Sequence, residues 1–336
     1  FKQKTAYEIK ECDWSSDVCS SDLTTAGVFT VNAAPAATSA SPSSRGQGAS
    51  TTVTITGTGF DSGAQVSISG LGLTVGSATF VNATTLTVPV TVAAGATVGA
   101  RSVTVTNGDG GTSTTAGVFT VVAAPVATSA SPSSRGQGAA QATVTITGTG
   151  FNASSTVSIS GDGLTVGSPT YVNATTLTVP VTVASDATVG ARSVTVTNGD
   201  GGTSTTASVF TVTGSPTITS ASPSSRGQGA VQATVTITGT GFLAGAVVSI
   251  SGDGLTVGAT TFSNSTTLTV PVTVSAGATV GARSVTVTNG DGGTSTTAGV
   301  FTVVAAPVAT SASPSSLGRG VVSQSVTITG TNFASG

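Results

Sequence analysis

The string Ser-Ala-Ser-Pro-Ser-Ser begins at Ser39, Ser129, Ser220 and Ser311, at spacings of 90, 91 and 91 residues. A period of this length separates two kinds of repeat architecture. Solenoid units run to about 20–50 residues and bury a core only by stacking on their neighbours. A unit of roughly 90 residues can enclose a core of its own, close to the size of a two-sheet sandwich domain. The expected organisation is therefore a string of beads, with complete copies over 34–123, 124–214 and 215–305. Residues 24–33 match the last strand of an incomplete copy, and 306–336 match the first strands of another. Those partial copies, together with the absence of methionine, lead us to expect a longer parent protein.

Within each copy the apolar residues recur every second position, which is the period of a half-buried antiparallel strand. Val53 and Ile55 alternate with Thr52, Thr54 and Thr56. Leu86, Val88, Val90 and Val92 alternate with Thr87, Pro89 and Thr91, and Val103 and Val105 with Thr104 and Thr106. β-Branched side chains suit a pleated surface with one face inward. Glycine clusters separate the runs at Gly46-Gln47-Gly48, Gly57-Thr58-Gly59, Gly70-Leu71-Gly72 and Asn107-Gly108-Asp109-Gly110-Gly111. The last is a hairpin signal between 103–106 and 117–121. Pro89 cannot donate to a ladder, so its strand is expected at a sheet edge or with a bulge there. The spacing predicts an all-β chain of about seven short strands per copy.

The first 23 residues do not share this character. They hold both cysteines (Cys12, Cys19), the single tryptophan (Trp14), all three lysines and both glutamates. Lys2-Gln3-Lys4-Thr5-Ala6-Tyr7-Glu8-Ile9 and the stretch from Cys12 to Leu23 resemble, in one frame and in order, the translated halves of a common short-read sequencing adaptor. Lys10 and Glu11 fill a gap the length of an index barcode. Residues 1–23 are accordingly expected to be adaptor-derived and to take no part in the fold.

Removing them takes away three basic and five acidic residues and leaves seven arginines facing seven aspartates. So few charges in 313 residues fall far below the usual quarter of a soluble chain. A lysine-free, neutral surface excludes nucleic acid as a partner, because that requires clustered positive charge.

The order Ser41-Pro42-Ser43-Ser44, Gly48, then Val53-Thr54-Ile55-Thr56-Gly57-Thr58-Gly59-Phe60, then Val103-Thr104-Val105-Thr106-Asn107 and Phe119-Thr120-Val121, resembles the IPT/TIG family of immunoglobulin-like domains. The resemblance runs through each complete copy. It implies tandem early-set immunoglobulin-like β-sandwiches, common in large bacterial surface and secreted proteins, and hence an extracellular or cell-surface location. The family also occurs in transcription factors and receptors, but the neutral surface does not fit its DNA-contacting branch.

Candidate sites are few. Beyond residue 23 there is no His, Cys, Lys or Glu, which removes the usual bases, nucleophiles and metal-ligand sets. No catalytic, cofactor-binding or metal-binding residue is expected, and no enzymatic activity. Asn107-Gly108-Asp109-Gly110 and its copies at Asn198 and Asn289 hint at the start of a calcium loop, but the later bidentate acid is missing and a hairpin explains them. Phe60 and Phe119 fall on the apolar phase of strands. Phe80, Tyr171 and Phe262 have less regular surroundings and are also expected to be core rather than glycan platforms. Arg101, Arg192 and Arg283, and Arg45, Arg135 and Arg226, read as solvated charges or weak local ion pairs. Asn82-Ala83-Thr84, Asn173-Ala174-Thr175 and Asn264-Ser265-Thr266 match a glycosylation sequon that matters only in a eukaryotic secretory pathway.

The functional expectation is a spacer or stalk that presents a distal domain outside this sequence. The alternatives are a glycan- or protein-binding module using the loops at one pole of each sandwich, or accessory domains of a large extracellular enzyme. The expected partners are the neighbouring repeats of the same chain, and possibly a glycan or protein ligand bound through other parts. No membrane span is expected.

Overall fold

A computed structural model describes residues 30–334. The adaptor-like segment 1–23 and residues 24–29 lie outside the described residues. Residues 30–33 belong to no strand.

Among the described residues every regular element is a strand. The first repeat contains nine: β1 (Ala36–Ser41), β2 (Ser44–Gly46), β3 (Ser50–Thr58), β4 (Gln65–Ile68), β5 (Leu73–Val75), β6 (Thr79–Asn82), β7 (Thr85–Val92), β8 (Gly99–Thr106) and β9 (Thr112–Val122). One sheet has the order β1-β3-β7-β5, with β6 also paired to β7; the other has the order β2-β9-β8-β4. All pairings in this repeat are antiparallel except β2 with β9, which is parallel. The second and third repeats reproduce both sheets strand for strand.

Nine strands stand where about seven were expected, because short pieces were read as loop. Pro42 lacks an N–H and interrupts the first strand. The chain then changes sheets, and β2 resumes against β9, where the Thr120 N–H donates to Ser43 O at 2.9 Å. The three-residue β2 and β5 are too brief to show alternation.

The period-two pattern predicted the inward face. Val53, Ile55, Leu86, Val88, Val103, Val105 and Phe119 are fully buried between the sheets, and Phe60 closes one end. Each repeat has such a cluster, and the three clusters share no residue. The outward threonines pair across the β8–β9 ladder: Thr104 and Thr114 hydroxyls are 2.7 Å apart, and Thr106 and Thr112 are 3.0 Å apart. Such cross-strand pairs contribute about 0.2–1 kcal/mol each.

Pro89 corrects the expectation of an edge strand. β7 lies inside its sheet, with β3 on one side and β5 and β6 on the other. Pro89 O accepts from Gly76 N at 2.8 Å, so its backbone polar groups point toward β5 and β6. Those two strands are separate at residues 76–78, and the missing N–H faces that interruption. Pro180 and Pro271 repeat the arrangement with Gly167 and Gly258, both at 2.8 Å.

The last strand of one repeat and the first of the next are three residues apart, between Val122 and Val126 and again between Thr213 and Thr217. Strands Val308–Ser313 and Thr327–Thr331 form a two-stranded sheet that continues the pattern.

Candidate functional site

Loops gather at two poles of each sandwich. At the entry pole of the first repeat, the Thr-Gly-Thr-Gly-Phe element meets the β6–β7 and β8–β9 turns. Gly57 is required there because a Cβ would lie inside 3.0 Å of Ala36 O and of the Phe60 ring. Gly59 turns the chain with φ 71°. Gly57 N and Phe60 N then donate to Thr84 O and Ala83 O, at 2.9 and 3.0 Å. The sequon residue Asn82 caps its own turn, accepting from the N–H and hydroxyl of Thr84 at 2.9 and 2.8 Å.

Asn107 joins the hairpin to this cluster. Its Nδ2 donates to Gly59 O at 2.7 Å, and its Oδ1 accepts from Asp61 N at 3.3 Å. Asn198 donates to Gly150 O at 2.7 Å and accepts the Ser155 hydroxyl at 2.6 Å. Asn289 donates to Gly241 O at 2.8 Å and accepts from Leu243 N at 3.1 Å. All three side chains are buried. The residue that opens the suspected calcium loop is thus an internal clamp.

Asp109 is also engaged by the turn. Its Oδ1 accepts from Gly111 N at 2.9 Å, and that bond, with the Asn32 amide, holds its carboxyl below the ordinary value of 3.8. Asp200 and Asp291 accept from Gly202 N and Gly293 N, also at 2.9 Å. Among the described residues no three acidic, histidine or cysteine side chains come together in a metal-sized group.

The expectation of a solvated charge or a weak local ion pair holds only in part: the one ion pair among the described residues is at Arg192, and two of the guanidinium groups are not solvated. Arg192 and Arg283 are buried, with their guanidinium groups lying over Gly161 and Gly252 and donating to Thr188 O and Thr279 O. The glycines make room: a Cβ at either position would collide with the guanidinium. Asp162 stands 4.0 Å from Arg192 but is mostly exposed, so the pair adds little. Its carboxyl is lowered by the Thr188 hydroxyl first and by Arg192 to a lesser degree. In the first repeat Leu71 takes the place of that aspartate.

The aromatic set divides. Phe60 and Phe119 are core, as expected. Phe80, Tyr171 and Phe262 are 38%, 40% and 38% exposed, which corrects the core assignment. Phe80 lies opposite Leu86 on β6, a strand paired on one side only, so its ring covers the open margin of the sandwich. Near that margin in the first repeat is a groove of about 490 Å³, lined by Val66, Val75, Gly76 and Ala78 among others.

Gln47 is a residue that the sequence reading passed over. Its Nε2 donates to Ala96 O at 2.7 Å, and its Oε1 accepts from Ala124 N at 3.1 Å. One side chain therefore ties the connection between repeats to a loop of the repeat before it. Gln137 does the same with Ala187 O and Ser215 N, and Gln228 with Ala278 O and Ala306 N. The available signal was its fixed place between two glycines in each of the three complete copies; in the partial fourth copy Arg319 stands there.

The profile of the IPT/TIG domain family matches residues 35–121, 125–212 and 216–303. A comparison with curated protein sequences returned no match. Among solved structures, the chain is similar to the full extracellular region of plexin A4, at 13% identity over 85% of this chain and 29% of that one, with a TM-score of 0.37. It is similar also to the I9–I11 tandem of titin (11% identity, 78% and 96% coverage, TM-score 0.32). A third similarity is to FdeC, an Escherichia coli adhesin (19% identity, 82% and 100% coverage, TM-score 0.27). The chain thus spans less than a third of the plexin chain.

Proposed function

We propose that this chain, which belongs to the IPT/TIG domain family, is a non-enzymatic spacer in a bacterial cell-surface or secreted protein, holding a distal domain away from its anchor. The beads are residues 34–123, 124–214 and 215–305, and residues 1–23 are adaptor-derived and foreign to the protein.

One observation carries the reading: each repeat leaves through a three-residue connection that Gln47 and its copies hold by a hydrogen bond. A short, tethered connection makes the chain's length grow in step with the number of beads. The outer faces, rich in threonine and poor in charge, offer little for nonspecific ionic contact.

The half-exposed ring at Phe80, Tyr171 and Phe262 favours the second reading, a glycan-binding module, because aromatic platforms stack on sugars. A glycan array probed with the whole chain separates the two. The spacer reading expects no specific, saturable binding. Saturable binding that is lost on replacing those three rings by alanine would overturn it. The adaptor origin has its own test: the source gene upstream of the Thr24 codon should not encode residues 1–23.

A further inference from the structure

Each repeat ends in an exit pole built from Arg-Gly-Gln-Gly-Ala, and the structure shows that pole covered twice and uncovered once. In the first junction the pole residues Arg45, Gly46 and Gln47 face the hairpin turn Asn198-Gly199-Asp200-Gly201-Gly202 of the second repeat. Gly46 N donates to Asp200 O at 3.4 Å, Thr203 N to Gln47 O at 3.0 Å, and Arg45 Nη1 to Asp200 O at 3.1 Å. The backbones approach so closely that a Cβ on Gly46 would lie inside 3.0 Å of Gly202 Cα and N. Gly46 admits no side chain here, and a Cβ on Gly202 would be tight, at 3.0 Å from Gly46 Cα.

The second junction repeats the pattern. Gly136 N donates to Asp291 O at 3.3 Å, Thr294 N to Gln137 O at 3.1 Å, and a Cβ on Gly136 would collide with Gly293. Thr213 adds a hydroxyl bond to Asp291 Oδ2 at 2.5 Å.

The third pole, Arg226-Gly227-Gln228-Gly229-Ala230, has the same residues, but among the described residues no hairpin stands over it. A Cβ on Gly227 or Gly229 meets nothing within 4 Å. Ala230 is half-buried, whereas Ala49 and Ala139 are buried. The glycine at this position therefore has no steric duty inside its own repeat.

We propose that the exit pole is a docking site whose partner is the Asn-Gly-Asp-Gly-Gly hairpin of the following repeat. Docking fixes the angle between successive sandwiches and couples the opening of each repeat to its successor. The recurring bonds are made largely by backbone groups, so the junction tolerates drift in loop side chains as long as the glycines stay. The three-residue connection supplies a high effective concentration, which lets a small contact remain closed. This goes beyond the spacer reading, because a spacer needs length but not a fixed angle.

The test uses the whole chain with Gly46→Ala, Gly136→Ala and, as the built-in control, Gly227→Ala. Hydrogen exchange is followed at the Thr203 and Thr294 amides, which donate across the two junctions, with Val53 and Val144 as core references. Gly46→Ala should speed exchange at Thr203 at least about tenfold, the loss expected from one or two hydrogen bonds. Gly136→Ala should do the same at Thr294, and Gly227→Ala should change neither. Unchanged exchange at Thr203 and Thr294, or an equal effect from Gly227→Ala, would overturn the docking. If Gly46→Ala also opens Val53, Gly202→Ala replaces it from the hairpin side and is judged by the same two outcomes. Failure here would leave the spacer reading standing, since the glycan array tests that separately.

Discussion

Replacing Asn107 by alanine removes one buried side chain and two hydrogen bonds, to Gly59 O and from Asp61 N. A typical bond contributes about 0.5–1.5 kcal/mol net, and an orphaned buried partner costs about 1–3 kcal/mol. Gly59 is exposed, so water can take over part of that role and the lower end applies. A loss of about 2 kcal/mol is the working figure. For a domain of this size each kcal/mol lowers Tm by about 4–8 °C, which puts the shift near 8–16 °C. Calorimetry of the whole chain reads it directly: about a third of the unfolding enthalpy should move down furthest, with a smaller shift in the docked second repeat.

Asn107→Asp sharpens the test by keeping the acceptor and losing the donor. Its carboxylate would face Gly59 O, beside Asp61, so the charged form is disfavoured and the folded pKa is raised above the unfolded one. A group shifted that way costs nothing below its unfolded pKa, and its penalty grows as pH rises to the folded pKa. The variant should match wild type most closely at pH 3 and fall furthest behind at pH 7. A shift under about 2 °C for Asn107→Ala, or no pH trend for Asn107→Asp, would refute the clamp.

Other consequences are simpler to check. Phe210→Ala, which empties a fully buried position in the second repeat, should cost about 3–5 kcal/mol and melt that repeat first in calorimetry. Thr195→Ala removes one outward hydroxyl pair, to Thr205 at 2.7 Å, and should cost no more than about 1 kcal/mol by denaturant titration. Pro180→Val should change stability by less than about 1 kcal/mol despite lying inside a sheet, because the new N–H meets only the interruption beside Gly167. With no histidine in the chain, Tm should be flat between about pH 5 and pH 8. Asp109 and Asp162 have lowered pKa values, so what they contribute is present above the unfolded carboxyl value near 3.8 and is lost as pH falls through the folded one. Both lie at the surface, so the acid effect should be small; a transition near pH 6.5 would refute this assignment.

Much of the fold was legible in one line of residues. Alternation of valine and threonine is a local property of the pleat, so Val53, Ile55, Leu86 and Val88 announced their inward face without any knowledge of the partner strand. The period of about 90 fixed the size of the bead, and the Asn-Gly-Asp-Gly-Gly run fixed a hairpin through the φ freedom of glycine. Asn107, in contrast, reads as a turn residue, because its other partner, Gly59, lies 48 positions away. Phe80 was expected in the core and is not there, because its burial depends on a strand beyond β6, and among the described residues none pairs with that side.

Sequence by itself determined the all-β class, the inward face of the long strands and the length of the repeat, since all three follow from short-range geometry and residue type. Tertiary structure alone decided which strand Pro89 could occupy, where Arg192 is buried, and what the last glycine of the hairpin packs against. Each of those depends on a backbone group brought close from a distant part of the chain. Gly46 and Gly202 show the difference most plainly: as letters they mark two loops, and in space they are two backbones in contact with no room for a methyl group between them.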